Sequence, residues 1–230
     1  MKYLVADTSS SVCGVGIFED DRIISINEID DGRTHSENFM PLVKKCLDEA
    51  KMDIKEIDYI GVVVGPGSFT GIRIGVASCK AMAEVCGSKV IPIISLDSLA
   101  ENCNMKSSTI CSLIDARNNQ VYCGIYDAKI NKIEEYIADD INIVIERVLK
   151  YEDITFVGNG AILHKQLIEE KFENKKISFC DNNKQNVESL GKIVFEKIKK
   201  GEIVDNDELI PIYLRKSQAE RNKNKWELSK

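Results

Sequence analysis

One short plan appears twice in this chain, and it limits the folds open to the sequence more than any other feature. The apolar stretch Tyr3–Ala6 ends at Asp7, turns through Thr8-Ser9-Ser10-Ser11, and returns as Val12–Phe18 carrying Cys13-Gly14. Much later Thr109–Ile114 ends at Asp115, turns through a second polar stretch, and returns as Val121–Tyr126 carrying Cys123-Gly124. A continuous apolar run is what a strand covered on both faces requires, and an acid at its last position marks where the strand leaves the interior. The repetition predicts an internal duplication into two α/β halves, each a mixed sheet flanked by helices, whose hairpin strands precede a parallel part. The 230 residues divide accordingly into 1–104, 105–215 and a tail, 216–230.

The elements between the repeats follow from periodicity. Asp20-Asp21 marks a hairpin turn before a strand at Arg22–Ile26, and Ile60–Val64 and Lys89–Ile94 read as buried strands. Phe39, Leu42, Val43, Cys46, Leu47 and Ala50 recur at helical spacing, with Thr34 or Ser36 available as the cap. Ile72–Cys86 reads as a second helix, and a helical stretch is expected near Ser98–Asn102. The second half predicts strands at Ile130–Ile137 and Ile154–Gly158, with helices around Ile162–Phe172 and Val187–Lys200.

Several function classes are excluded by count and charge. The net charge of −6 argues against a protein that grips nucleic acid over its whole surface. Only from Tyr213 onward does the balance invert, with six basic residues against two acids, a net +4. The bland reading of that tail is a solvated lysine-rich terminus; the other is a contact to a phosphate backbone. The eight cysteines contain no C-x-x-C pair and lie mostly in apolar stretches, so reduced, buried thiols are expected. His35 and His164 are the only histidines, which rules out an H-x-x-x-H metallohydrolase. No apolar run reaches membrane-spanning length and Asp7 comes too early for a signal peptide, so a cytoplasmic protein without membrane contact is expected.

Three segments can carry chemistry. Gly65-Pro66-Gly67-Ser68-Phe69-Thr70-Gly71-Ile72-Arg73-Ile74-Gly75 lies between a strand and a helix, where free amides can hold an anion. It lacks the Gly-Lys-Ser/Thr of a phosphate loop, and its third glycine comes one residue late for a dinucleotide fingerprint. Its alternatives are a nucleotide contact and a structural turn docked on a neighbouring surface. Ser68 has neither a nucleophile elbow nor a nearby histidine in sequence. Asp7, Thr8 and Ser9 can meet a metal–phosphate group, with Asp115 as the second acid, or can form an Asx turn with no ligand. The third segment is the pair of helices, of which Ile72–Cys86 is rich in Gly, Ala and Ser and suited to close helix contact; side by side, the two would make a dimerisation face.

Leu4-Val5-Ala6-Asp7-Thr8-Ser9, Thr34-His35-Ser36, the Gly65–Gly75 run, Ser95-Leu96, Asp115-Ala116-Arg117 and Pro211-Ile212-Tyr213-Leu214-Arg215 together resemble the TsaB (YeaZ) family. The resemblance implies the actin-like, sugar-kinase-like (ASKHA) fold of duplicated halves. It also implies a non-catalytic subunit that binds and activates TsaD, which transfers threonylcarbamoyl to N6 of adenosine 37 in tRNAs reading ANN codons. His35 is followed by Ser36-Glu37-Asn38-Phe39, so the H-x-x-x-H metal motif of TsaD is incomplete here and no metal or protease activity is expected. By the same resemblance the chain pairs with TsaD as a heterodimer through its N-terminal helices, with TsaE as a further ATP-dependent partner. A homodimer forms in isolation, and tRNA is met only through the complex. His35, Phe39, Val43, Arg73 and Val76 are the expected interface residues. No cofactor is expected within the chain, with ATP or ADP binding at or near the subunit interface left open; Asp7, Thr8, Ser9 and Asp115 are the candidate nucleotide-binding residues. The alternative of another class is a small-molecule kinase of the same superfamily using Asp7 and Asp115 around magnesium.

Overall fold

The computed structural model describes residues 1–32, 34–103 and 107–215. The expected boundary at 104 and the basic tail at 216–230 lie outside the described residues. The first half runs β1 (Lys2–Asp7), β2 (Cys13–Glu19), β3 (Arg22–Ile29), α1 (His35–Ala50), β4 (Tyr59–Gly65), α2 (Phe69–Cys86), β5 (Lys89–Ile94) and α3 (Ser95–Glu101). The second runs β6 (Thr109–Asp115), β7 (Gln120–Asp127), β8 (Ile137–Asp140), α4 (Ile141–Val148), β9 (Asp153–Val157), α5 (Asn159–Leu163), α6 (Lys165–Lys171), β10 (Lys176–Phe179) and α7 (Val187–Lys200).

The strand orders are β3-β2-β1-β4-β5 and β8-β7-β6-β9-β10, so the duplication is exact in topology. In each sheet the first strand pairs antiparallel with its hairpin partner and parallel with the strand after the next helix. The expected strand at Ile130–Ile137 is a correction. Asp127 Oδ1 accepts the amides of Lys129 at 2.8 Å and Asn131 at 2.9 Å, which closes a polar loop, and β8 begins only at Ile137.

The layers show where sequence and packing part company. α1 and α2 cover one face of the first sheet, with Leu4, Ala6, Phe39, Leu42, Val62, Ile72 and Val76 in one apolar cluster. Its other face is covered by α7, through Val187, Leu190 and Val194 against Tyr3, Val5, Phe18 and Ile91. In turn α3 of the first half packs Leu96 and Leu99 onto Ile110, Ile114 and Tyr126 of the second sheet. Each half thus lends its last helix to the other half's sheet. A linear division at 104 separates both helices from the sheets they cover. Fully burying one such aliphatic side chain is worth about 1.5–3 kcal/mol, so three from α7 form a substantial part of the first sheet's stability.

Candidate functional site

The two acids that end β1 and β6 occupy matching turns. Asp7 Oδ1 accepts the Ser9 amide at 2.7 Å, and Asp115 Oδ1 accepts the Arg117 amide at 2.8 Å. Both are Asx turns, in which the carboxylate replaces a backbone acceptor two residues before its donor. Their surroundings differ. Asp7 is 3% exposed, and burial pushes its carboxyl above the usual range against the opposing pull of the Ser9 amide bond and His35. Asp115 is half-buried and its own amide donates to Asn159 Oδ1 at 3.0 Å.

The glycine-rich segment closes onto the first of these turns. The Ser68 amide donates to the Ser9 carbonyl at 2.8 Å, and Thr8 Oγ1 donates to the Gly71 carbonyl at 2.7 Å. A methyl group on Gly67 would overlap the Ser9 carbonyl oxygen, and one on Gly71 would overlap that of Thr8. The glycines therefore serve close approach of one backbone to another. This contact docks the glycine-rich segment on the Asp7 turn. Three buried polar atoms around the turn, Asp7 Oδ2, Ser9 Oγ and His35 Nδ1, have no hydrogen-bond partner among the described residues.

The expected interface residues separate into two groups. Phe39, Val43 and Val76 are 1, 3 and 3% exposed and belong to the core beneath α1 and α2. Phe39 and Val76 are corrected from surface anchors to core residues, because their spacing puts them on the helix stripe that faces the sheet, while buried Val43 also reaches the groove between the helices. His35 is half-buried at the start of α1, its Nε2 donating to the Ser10 carbonyl at 2.7 Å. Arg73 is exposed; its Nε donates to Tyr213 Oη at 2.7 Å, and Tyr213 stacks on Phe69 with ring centres 4.8 Å apart.

The open feature of this face is a groove of about 620 Å³ between α1 and α2. Val43 and Met82 form its floor, Met40, Leu47, Met52, Ile54 and Val85 its walls, and Lys44, Asp48 and Asp53 its polar rim. Met40 and Val85 are 49% and 76% exposed. Sequence periodicity missed Met40 and Val85 because it finds the inward stripe. The signal that would have found them was a large apolar side chain placed off that stripe, as Met40 and Val85 are.

Behind α2, residues 203–215 run from α7 back across the molecule. Val204 bridges Val90 of β5, the Ile212 amide donates to the Val64 carbonyl at 2.8 Å, and Arg215 Nη1 donates to the Ala116 carbonyl at 2.5 Å. The segment thus reaches the second Asx turn and joins the two halves. No helix among the described residues is long and apolar enough to cross a membrane.

Residues 29–223 match the family model described as TsaD: tRNA N6-adenosine threonylcarbamoyltransferase. The chain is 32% identical to the tRNA threonylcarbamoyladenosine biosynthesis protein TsaB of Bacillus subtilis, over 98% of both chains. YeaZ from Pseudomonas aeruginosa superimposes with a TM-score of 0.79 at 23% identity, covering 93% of this chain and 99% of that one. The Acidaminococcus fermentans (R)-2-hydroxyglutaryl-CoA dehydratase component A shares the fold, with a TM-score of 0.51 at 11% identity over 86% of this chain and 99% of its own. Duplicated sheets of one topology, flanked by helices, make this the actin-like ASKHA fold. With near-complete overlap in sequence and the same architecture, the chain belongs to the TsaB (YeaZ) family of tRNA threonylcarbamoyladenosine biosynthesis.

Proposed function

We propose that this chain is a non-catalytic subunit that binds and activates a TsaD-type threonylcarbamoyltransferase, and that the α1–α2 groove is where the two meet. The observation that carries the reading is the apolar groove, with Met40 and Val85 left open to solvent at its edges. The match of this chain to the TsaD model supports a TsaD-type protein as its occupant. A partner built on the same plan would present the same pair of helices, and two such faces pair about an approximate two-fold axis. In isolation a second copy of this chain would use the same face.

The Asp7 turn supports the non-catalytic part. The kinase alternative would need the Asp7 carboxylate open to magnesium and phosphate, and Asp7 is 3% exposed beneath its turn. Asp7, Thr8 and Ser9 instead bind the turn and the glycine-rich segment. ATP or ADP would then enter the assembly at or near the subunit interface, with TsaE as the further partner. The transferred group would reach N6 of adenosine 37 on tRNA held by the assembly.

Light scattering of the purified chain, alone and mixed with the TsaD protein of the same organism, tests this. A heteromeric mass replacing the homodimer or monomer is the expected result. Separate species throughout, with TsaE and ATP added, would remove the partner reading.

A further inference from the structure

Among the described residues, Arg22 pairs with Glu19 at 3.0 Å and Arg147 with Glu134 at 2.5 Å. The remaining described arginines, Arg73, Arg117 and Arg215, make no ion pair with a described carboxylate, and the contacts of Tyr213 and Arg215 connect Arg73 to the turn that carries Arg117. Arg73 holds the Tyr213 hydroxyl; two residues later Arg215 donates to the Ala116 carbonyl; Arg117 is the next residue along that turn and is exposed. Tyr213 itself is 41% exposed beside them. The acid closest in sequence is Asp115, whose Oδ1 is occupied by the Arg117 amide.

Arg73 and Arg215 make hydrogen bonds within the fold, to Tyr213 and to the Ala116 carbonyl, but no described carboxylate pairs with their charge or with that of exposed Arg117, in a chain of net charge −6. Guanidinium groups are planar, permanently charged forks that match phosphate oxygens. Beside them Tyr213, 41% exposed although stacked on Phe69, leaves part of its ring open to an unstacked base. The chain beyond Arg215 adds Lys216, Arg221, Lys223, Lys225 and Lys230 against Glu220 and Glu227, so the excess positive charge of the sequence begins at this patch.

We infer that the Arg117–Arg215–Tyr213 patch is an RNA contact, taking phosphodiester groups on Arg117 and Arg215 and a base against Tyr213. Arg73 is its positioning residue, since it holds the Tyr213 ring. The choice of RNA rests on the proposed role in tRNA modification. The patch lies on the turn of the second sheet and on the returning segment, and none of these three residues lines the α1–α2 groove.

The test is the affinity of the chain assembled with TsaD for an unmodified transcript of a tRNA reading an ANN codon, measured over a range of salt. Arg117→Glu should weaken binding about tenfold or more, and Arg117→Ala should reduce the slope of log affinity against log salt by roughly one. Arg215→Ala should act in the same direction. Lys171→Glu, an equal charge change on exposed Lys171 of α6, should leave affinity within about twofold of the parent. Heteromer mass and thermal midpoint, recorded for each variant, should not move with Arg117→Glu. Binding by Arg117→Glu and Arg215→Ala equal to that of Lys171→Glu would overturn the inference. If the parent chain forms no heteromer, the partner reading fails on the mass alone. The same variants are then compared as isolated chains at low salt, where an unchanged affinity again overturns the RNA contact.

Discussion

The backbone amide of Val187, the first residue of α7, donates to the Glu28 carboxylate of β3 at 2.7 Å, across 159 residues of sequence. A carboxylate at a helix N-terminus satisfies an amide that has no partner within the helix and lies at the positive end of the helix dipole. Glu28→Ala should therefore lower stability by about 0.5–1.5 kcal/mol. Urea unfolding checks this; an unchanged midpoint would mean that apolar contacts alone fix α7.

Val76 and Val85 lie on one helix and should respond in opposite ways. Val76 is 3% exposed, so Val76→Glu buries an unpaired carboxylate and should cost about 3 kcal/mol or more. Val85 is 76% exposed in the groove wall. Val85→Asp, alone or with Met40→Asp, should leave the melt unchanged and weaken association with TsaD roughly tenfold or more. Thermal unfolding and titration calorimetry on the same preparations separate the two effects.

At Asp7 the folded state raises the carboxyl pKa, chiefly by burial. Its contribution is therefore fully favourable below the unfolded value of 3.8 and is lost as pH rises through the folded value. Asp7→Asn keeps an oxygen for the Ser9 amide and removes the cost of ionisation. It should raise the melting temperature at pH 7, with a smaller gain near pH 4. A lower melting temperature at both pH values would show that the ionised form is needed.

Glu134 behaves in the reverse sense. Burial pushes its carboxyl up, but hydrogen bonds from Lys150, Tyr151 and Arg147 together outweigh it and hold the carboxyl at about 2, against 4.5 unperturbed. Its contribution is present above pH 4.5 and is lost as pH falls toward about 2. Glu134→Gln should destabilise the second half at pH 7 and approach the parent as pH falls through that window. Melting curves at pH 7, 4 and 3 should converge; parallel curves would mean that the cluster contributes little.

Much of this fold was legible because its strongest signals were local. Asp7 and Asp115 each end a buried strand, and recognising that plan twice was enough to predict two duplicated halves, each a mixed sheet whose hairpin precedes its parallel part. α4 went unread although Ile141, Val144, Ile145 and Val148 carry the helical spacing, since so short an apolar stretch reads equally as strand. β10, with Lys176 exposed and its other residues half-buried, gave no clean alternation. At the site, the sequence marked the helices but not which of their faces was open: Phe39 and Val76 carry the periodicity that signals burial, while Met40 and Val85 break it. The link between Arg73 and Tyr213 joins residues 140 apart, and no spacing rule spans that distance.

The exchange of α3 and α7 also has a consequence for synthesis. When the first sheet's five strands have left the ribosome, one of its faces is still bare, because Val187, Leu190 and Val194 have yet to be translated. At roughly 5–20 residues per second, that face would wait on the order of 5–20 seconds for its helix. During that interval Tyr3, Val5, Phe18 and Ile91 form an apolar surface open to a chaperone or to another nascent chain.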